Sequence, residues 1–194
     1  MTGLLAFSMV GVAVALLRGG SLSEWNNVQV RWWFVAVASL GLQLILHNQP
    51  VDHQPWAITF GPLIWLACLS GLLAVLARNA VASTARATRL AWTVAAVGVG
   101  LNLLVVAANG GFMPQSSDAR SSTRGAVAAT DERRLRNVRP MSGETQLNAL
   151  GDVIAEPTWL PNANVISIGD VLLGIGLGAW AFVTTSDGRR RRAA

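Results

Sequence analysis

Five long runs of apolar residues, joined by connections in which arginine is present and absent by turns, constrain this chain more than any other feature. The runs are about Gly3–Leu17, Trp32–Leu46, Trp56–Ala77, Leu90–Ala108 and Val165–Thr184. Each is nearly free of charge, so its backbone polar groups must be satisfied internally and its side chains removed from water, conditions that helices in a bilayer meet. Arginines stand at 18, 31, 78, 86, 89 and 189–192, while the short gap His47–Pro55 has none. Positively charged connections stay on the cytoplasmic side. The reading is therefore a multi-pass protein of a plasma membrane, with its N-terminus outside and its C-terminus in the cytoplasm. The expected fold class is all-α, a polytopic bundle of five transmembrane helices with an extracytoplasmic loop and a short surface helix.

Composition agrees. The chain has 194 residues, 52% of them apolar and 13% charged, which fits one folding unit in lipid better than a soluble core. Its pI near 11.4 raises nucleic acid as a partner, but the excess positive charge lies at run ends and in the Arg189–Arg192 tail, where anionic headgroups are nearer. No nucleic-acid partner is expected. Every Lys/Arg cation is arginine, and tyrosine is absent, a bias of GC-rich bacterial genomes. The lone Cys68 excludes an intramolecular disulfide and reads as a small packing residue. The first run has no positive residue before it and no A-x-A site before Gly19-Gly20, so it reads as a retained span rather than a cleaved signal. At about 15 residues it is short against the roughly 20 needed to cross.

Tryptophan marks the run ends: Trp32 and Trp33, Trp56, Trp92, Trp159 and Trp180 sit where indole rings favour the headgroup level, and Trp65 alone is mid-run. The organisation expected is residues 1–114 as helices one to four, 115–145 as a flexible extracytoplasmic loop, and 146–194 as surface helix, fifth helix and basic cytoplasmic tail. Six arginines in the long loop are offset by Asp118, Asp131, Glu132, Glu144, Asp152 and Glu156, and a long loop of balanced charge crosses regardless of the positive-inside bias. Within Gln146–Ile154, Leu147, Leu150, Val153 and Ile154 share one helical face before Pro157 and Pro161, which predicts the amphipathic surface helix.

Polar residues inside the runs are the candidate site, because each is costly in lipid. Ala36, Ser39, Gln43 and His47 form one stripe at helical spacing; Ala91, Ala95, Gly98, Asn102 and Asn109 form a second; Ser167, Asp170, Gly174, Gly178 and Ala181 a third. Gly174-x-x-x-Gly178 is a spacing that lets helices approach closely. The three stripes are expected to face one another. Counting about 1.5 Å per residue from the outer ends places Gln43, Asn102 and Asp170 within one layer roughly 5–10 Å deep. Asp170 needs partners there, and Gln43, His47, Asn102 and Asn109 can supply amide or imidazole donors. The candidate binding residues are thus Gln43, His47, Asn102, Asn109 and Asp170. His47, Asp52 and His53 are too few and too loosely spaced for a metal, and read as a solvated turn; neither metal nor cofactor is expected.

The segments Asn102-Leu-Leu-Val-Val-Ala-Ala-Asn-Gly-Gly-Phe-Met-Pro114, Leu150-Gly-Asp-Val-Ile154 and Pro161-Asn-Ala-Asn-Val-Ile-Ser-Ile-Gly-Asp-Val-Leu172, together with Arg31-Trp-Trp-Phe and Leu42-Gln-Leu-Ile, resemble a bacterial multi-pass membrane protein family of unknown function. The resemblance covers most of the chain apart from Gln115–Thr145 and implies a location and a topology, with no activity to transfer. In outline the end of the chain is also similar to the lipoprotein signal peptidases, whose two catalytic aspartates flank the entry to the last span. On that likeness Asp152 and Asp170 would be the pair and Asn164 the preceding asparagine. The peptidase asparagine lies two residues before its aspartate, however, whereas Asn164 lies six before Asp170, and a Gly-Asn-x-x-Asp-Arg element has no counterpart after Leu90. On the helical reading of 146–154, Asp152 points to water. The expectation is a structural or binding protein, with membrane lipids, a small ligand, a membrane-protein partner or a second copy as its partner. Catalysis by an aspartyl dyad is the alternative.

Overall fold

The structure is a computed structural model that describes residues 2–48, 50–123, 137–160 and 163–192. Its helices are α1 (Thr2–Leu17), α2 (Trp33–Leu46), α3 (Pro55–Ala82), α4 (Arg86–Ala108), the short α5 (Ser117–Ser121) and α6 (Ile168–Arg192). Three of them are long and apolar enough to cross a membrane: α3, α4 and Ile168–Ser186 of α6. Helices α1 and α2, at 16 and 14 residues, are shorter than the usual span. Much of the bundle's outer face is exposed hydrocarbon, including Leu63, Val81, Leu90 and Leu104, as a lipid-facing surface requires.

Helices α2, α3 and α4 pack in chain order, whereas α1 packs on α6 rather than on α2. Helix α4 runs antiparallel to α6, and the contact is so close that a Cβ at Gly98 would fall on the Gly169 carbonyl, and one at Gly176 on the backbone of Ala95. Helix α1 lies on the other side of α6, with Gly11 against the Gly178 carbonyl and Phe7 against Gly174. Helix α2 packs on α3, where the Ser39 hydroxyl lies beside Gly71. The small-residue stripes therefore do work as contact faces, but not as one convergence of three. Gly174 and Gly178 take α1, and the α2 stripe turns to α3.

The five helices share a common end for arginine. Arg18, Arg31, Arg78, Arg86 and Arg89 stand at one end of the bundle, where α1 ends beside α6, the two running parallel with Phe7 at Gly174, Gly11 at Gly178 and Gly20 at Thr185. There the buried Asn79 amide ties down the Arg31 backbone, accepting from its N–H at 2.9 Å and donating to its C=O at 3.0 Å. At this end Trp92 and Trp180 pack with ring centroids 4.9 Å apart, Trp25 meets Trp180 edge-on at 5.4 Å, and Trp25 donates to the Thr185 hydroxyl. These rings are drawn inward by one another. Trp92 is buried, so it closes the core rather than lying among headgroups.

At the opposite end the all-α expectation fails. Four short strands, β1 (Met113–Gln115), β2 (Val138–Pro140), β3 (Asp152–Ala155) and β4 (Val165–Ser167), make a sheet of order β2-β1-β3-β4. Strands β1 and β2 are parallel, β1 and β3 parallel, and β3 and β4 antiparallel with a register irregularity between Asp152 and Ile154. The surface helix proposed over Gln146–Ile154 is replaced by a 3-10 turn at Asn148–Leu150 followed by β3. Leu147 takes a left-handed backbone conformation (φ 56°), and Gly151 sits so close to the Pro114 carbonyl that a Cβ would not fit. Both break a helix, and β-branched Val153 and Ile154 then favour a strand. Within 115–145, expected as one flexible loop, the described residues carry the end of β1, α5 and β2; residues 124–136 of that loop, and Pro161, lie outside the described residues.

Candidate functional site

The sheet is joined to the bundle by two sequence motifs. At the end of α4, Asn109 donates its amide to the Val105 and Gln146 carbonyls and accepts from the Gln146 N–H at 2.8 Å. One side chain thereby stops the helix and ties down the segment that leads to β3. Gly110 and Gly111 both have positive φ, and Gly111 also packs on Pro62 of α3 with no room for a Cβ. The chain then turns directly into β1. At the start of α6, the Ser167 hydroxyl accepts from the Asp170 N–H while the Asp170 carboxylate accepts from the Ser167 N–H, each at 3.0 Å. This reciprocal cap satisfies helix-end donors that would otherwise be orphaned.

Asp170 does more than cap. Its Oδ1 accepts from the Asn102 amide at 2.8 Å, and the Asn102 Oδ1 accepts from the Ser167 hydroxyl at 2.8 Å. Asn102 and Ser167 are buried, and Gly169 is glycine because the Asn102 side chain occupies the space of its Cβ. A closed ring of hydrogen bonds thus locks α4 to the entry of α6.

Asp152 stands opposite Ser167 in the β3–β4 ladder. It is buried, not solvated as the helical reading required. Its carboxyl accepts from the Gln115 amide at 3.4 Å, and Gln115 in turn accepts from Arg120 of α5 at 3.0 Å. Burial, and then the nearby Asp170 charge, push the Asp152 carboxyl up to about 7, only partly offset by the Gln115 hydrogen bond. Glu156, also buried, accepts from the Asn164 N–H at 2.9 Å.

These groups line one end of a cavity of about 410 Å³. The other end runs down between the helices and is walled by Leu40, Trp65, Leu69, Leu72, Val99 and Leu173. Gln115, Asp152 and Glu156 make the sheet end the more polar one, although Met113, Val138, Val165 and Ile166 also line it, and the helices add Gln43, Asn102 and Asp170 to their mainly apolar walls.

Of the residues singled out from sequence, Gln43, Asn102, Asp152 and Asp170 border this cavity. His47 and Asn109 are not among its lining residues. The His47 Nδ1–H donates to the Gln43 carbonyl at 2.8 Å and the ring packs edge-on to Trp65 at 6.4 Å, whereas Asn109 holds the loop. The turn after α2 is not simply solvated, because Asp52 is fully buried with His53 Nε2 3.7 Å from its carboxylate. Among the described residues no group of three or more His, Cys, Asp or Glu could hold a metal. Sequence reasoning missed Gln115, Arg120 and Glu156 as lining residues. Gln115 directly follows the Gly-Gly-x-Met-Pro turn, a position that marked it.

No curated protein and no solved structure matches the chain, so the signal-peptidase likeness gains no support from them. The model of a family of unknown function (DUF5317) matches residues 27–182, most of the chain, and the chain belongs to that family.

Proposed function

We propose that this protein spans a bacterial plasma membrane five times, with the arginine-bearing end cytoplasmic and the sheet outside, and that it binds an amphiphile in the cavity beneath the sheet. The alternating arginines support the orientation. Helices α1 and α2 complete the five crossings by local thinning of the bilayer. One observation carries the binding reading: a single cavity joins the carboxyls of Asp152, Glu156 and Asp170 to a wall of Leu40, Trp65, Leu69, Leu72 and Leu173. Ligand pockets pair apolar walls with a few placed polar groups in this way. A chain with a polar head would set its head against Asp152, Glu156 and Asp170 and its tail along Leu72, Trp65 and Leu69. Gln43 fits this reading: among the described residues its side-chain amide makes no hydrogen bond, yet it borders the cavity.

Native mass spectrometry of protein purified in mild detergent tests the reading. A bound amphiphile should survive extraction from wild type and be lost from Leu72→Trp, where a larger ring fills the apolar end. Identical spectra from both, without an adduct, would refute it.

A second reading is favoured by one observation. Asp152 and Asp170 border the same space, and burial with the neighbouring Asp170 charge raises the Asp152 carboxyl to about 7, as in pairs of carboxyls that activate water. An aspartyl hydrolase predicts cleavage of a membrane-anchored peptide that is lost in both Asp152→Asn and Asp170→Asn. A wild type inert toward lipopeptides leaves the binding reading alone.

A further inference from the structure

The hydrogen-bond inventory of the cavity's polar end is lopsided. Its fixed donors are already directed at the wall: the Asn102 amide to Asp170, the Gln115 amide to Asp152, the Ser167 hydroxyl to Asn102, and an Arg120 guanidinium N–H to Gln115. The acceptors are not used up. Asp152 receives its hydrogen bond on Oδ2 and Glu156 on Oε2, and no described residue donates to Asp152 Oδ1 or Glu156 Oε1. Both side chains are more than nine-tenths buried, each 7% exposed, and both border the cavity. Neither oxygen is among the fully buried unsatisfied atoms of the described residues, so each stays accessible at the residue's small exposed fraction, and a ligand that donates a hydrogen bond to it is held there. The amides of Gln43, Asn137 and Asn164, also in the lining, can turn either face to a ligand and do not discriminate.

Charge points the same way. Above about pH 7, where Asp152 gives up its proton, three carboxyls, Asp152, Glu156 and Asp170, meet one arginine in this lining. A phosphate brought against them from the membrane would be repelled at short range in a poorly screened site. We propose that the amphiphile's head is a hydrogen-bond donor without negative charge, a hydroxyl or an amine seated between Asp152 and Glu156, and that lipids with anionic phosphate heads are rejected. This rests on the amphiphile-binding reading and names the class of ligand for the same cavity.

The test is a panel of probes with oleoyl chains and different heads, added to delipidated protein and read by native mass spectrometry: dioleoylglycerol for the hydroxyl, oleylamine for the amine, and dioleoyl phosphatidic acid for the phosphate. Dioleoylglycerol or oleylamine should bind at least about tenfold more tightly than phosphatidic acid, and which of the two binds identifies the head. With the panel run at about pH 8, above the Asp152 value of about 7, Glu156→Gln should narrow the gap by removing a charge while keeping the side chain's shape, and Asp152→Asn should do the same. If either variant fails to fold, the wild-type panel decides alone. Phosphatidic acid binding as tightly as the others, and losing its site in Leu72→Trp, would overturn this proposal while leaving the amphiphile reading intact. Should no probe bind wild type, or should binding ignore Leu72→Trp, the amphiphile reading falls and this proposal with it.

Discussion

A graded series of glycine-to-alanine substitutions tests how α6 is held between α1 and α4. In a helix alanine is favoured over glycine by up to about 1 kcal/mol, so the sign of the net effect depends on the space for one methyl group. At Gly41 nothing lies within 4 Å of the added carbon, and at Gly100 the nearest atom is Leu73 Cδ1 at an ordinary 3.9 Å. Both substitutions should be neutral or stabilise by up to about 1 kcal/mol. At Gly174 the methyl would lie 2.5 Å from the Phe7 ring, which is partly exposed and can swing aside, so a net loss of about 1 kcal/mol is expected. At Gly176 it would meet the backbone of Ala95 and the Ala91 carbonyl oxygen at 2.7 Å. Backbone cannot rotate away, and the two helices must separate, at about 2–3 kcal/mol. For a chain of this size each kcal/mol moves the melting temperature by about 2–4 °C. Cys68 supplies the assay, since it is the only cysteine and is buried: a thiol-reactive fluorophore reports its exposure during heating. Equal shifts at Gly41 and Gly176, or a more stable Gly176→Ala, would refute the packing.

Other consequences can be checked in the same system. Asp152 carries a folded-state pKa raised from 3.8 to about 7, so the native state holds a proton that the unfolded chain releases; stability should fall as pH rises from about 4 to about 7 and level off above, and Asp152→Asn should abolish that slope. Asp170, Glu156 and Arg120 face the same cavity, so the slope is to be measured as the difference between wild type and variant. Asn102→Ala breaks two hydrogen bonds, one of them to a carboxylate, and should cost about 2–4 kcal/mol, against little change for the outward-facing Leu104→Ala. In a Cys68→Ser background, cysteine at Ser116 should react with an impermeant thiol reagent on intact cells while cysteine at Ser83 resists; labelling at Ser83 would reverse the orientation.

The helices were legible because their signal is long. Runs of fifteen or more apolar residues have few alternatives, and α3, α4 and α6 lie where the runs do. The pairing of Asn102 with Asp170 was legible for a related reason: a carboxylate in an apolar run demands a donor, and few were on offer. The sheet was not legible. Its strands have three or four residues each, too short for a period of two to show, and Leu147, Leu150, Val153 and Ile154 mimic a helical face by accident of spacing. The opposing evidence was local: Gly151 in the middle of the supposed helix, and the β-branched pair Val153-Ile154 beside it. Partner choice among the stripes was equally hidden, since a small-residue face records that some helix approaches without recording which.

That misreading of one nine-residue segment changes the chemistry assigned to the end of the chain. As a helix, 146–154 would have turned Asp152 to water, against the alternative that pairs it with Asp170. As a strand paired with β4, it sets Asp152 across from Ser167, the same residue whose hydroxyl and N–H hold Asp170. The sheet therefore brings to one end of the cavity carboxyls from three places, β3, the segment after it, and the first turn of α6. A protein that needed only to pack its helices would gain nothing from this. Removing Asp170's charge leaves Asp152 and Glu156 still buried, and replacing a paired carboxylate by its amide often preserves the fold. Asp170→Asn should accordingly leave the protein folded, because Asn can still accept from the Ser167 N–H or from the Asn102 amide, and it should lower Asp152's apparent pKa toward the ordinary carboxylate range by removing a neighbouring negative charge. Difference infrared spectroscopy of the protonated carboxyl band, titrated from about pH 5 to 8 in wild type, Asp170→Asn and Asp152→Asn, measures this directly. A band lost in Asp152→Asn and shifted to lower pH in Asp170→Asn supports one coupled carboxyl pair beneath the sheet; a band unmoved by Asp170→Asn would mean that burial alone holds the proton and that the two carboxyls act apart.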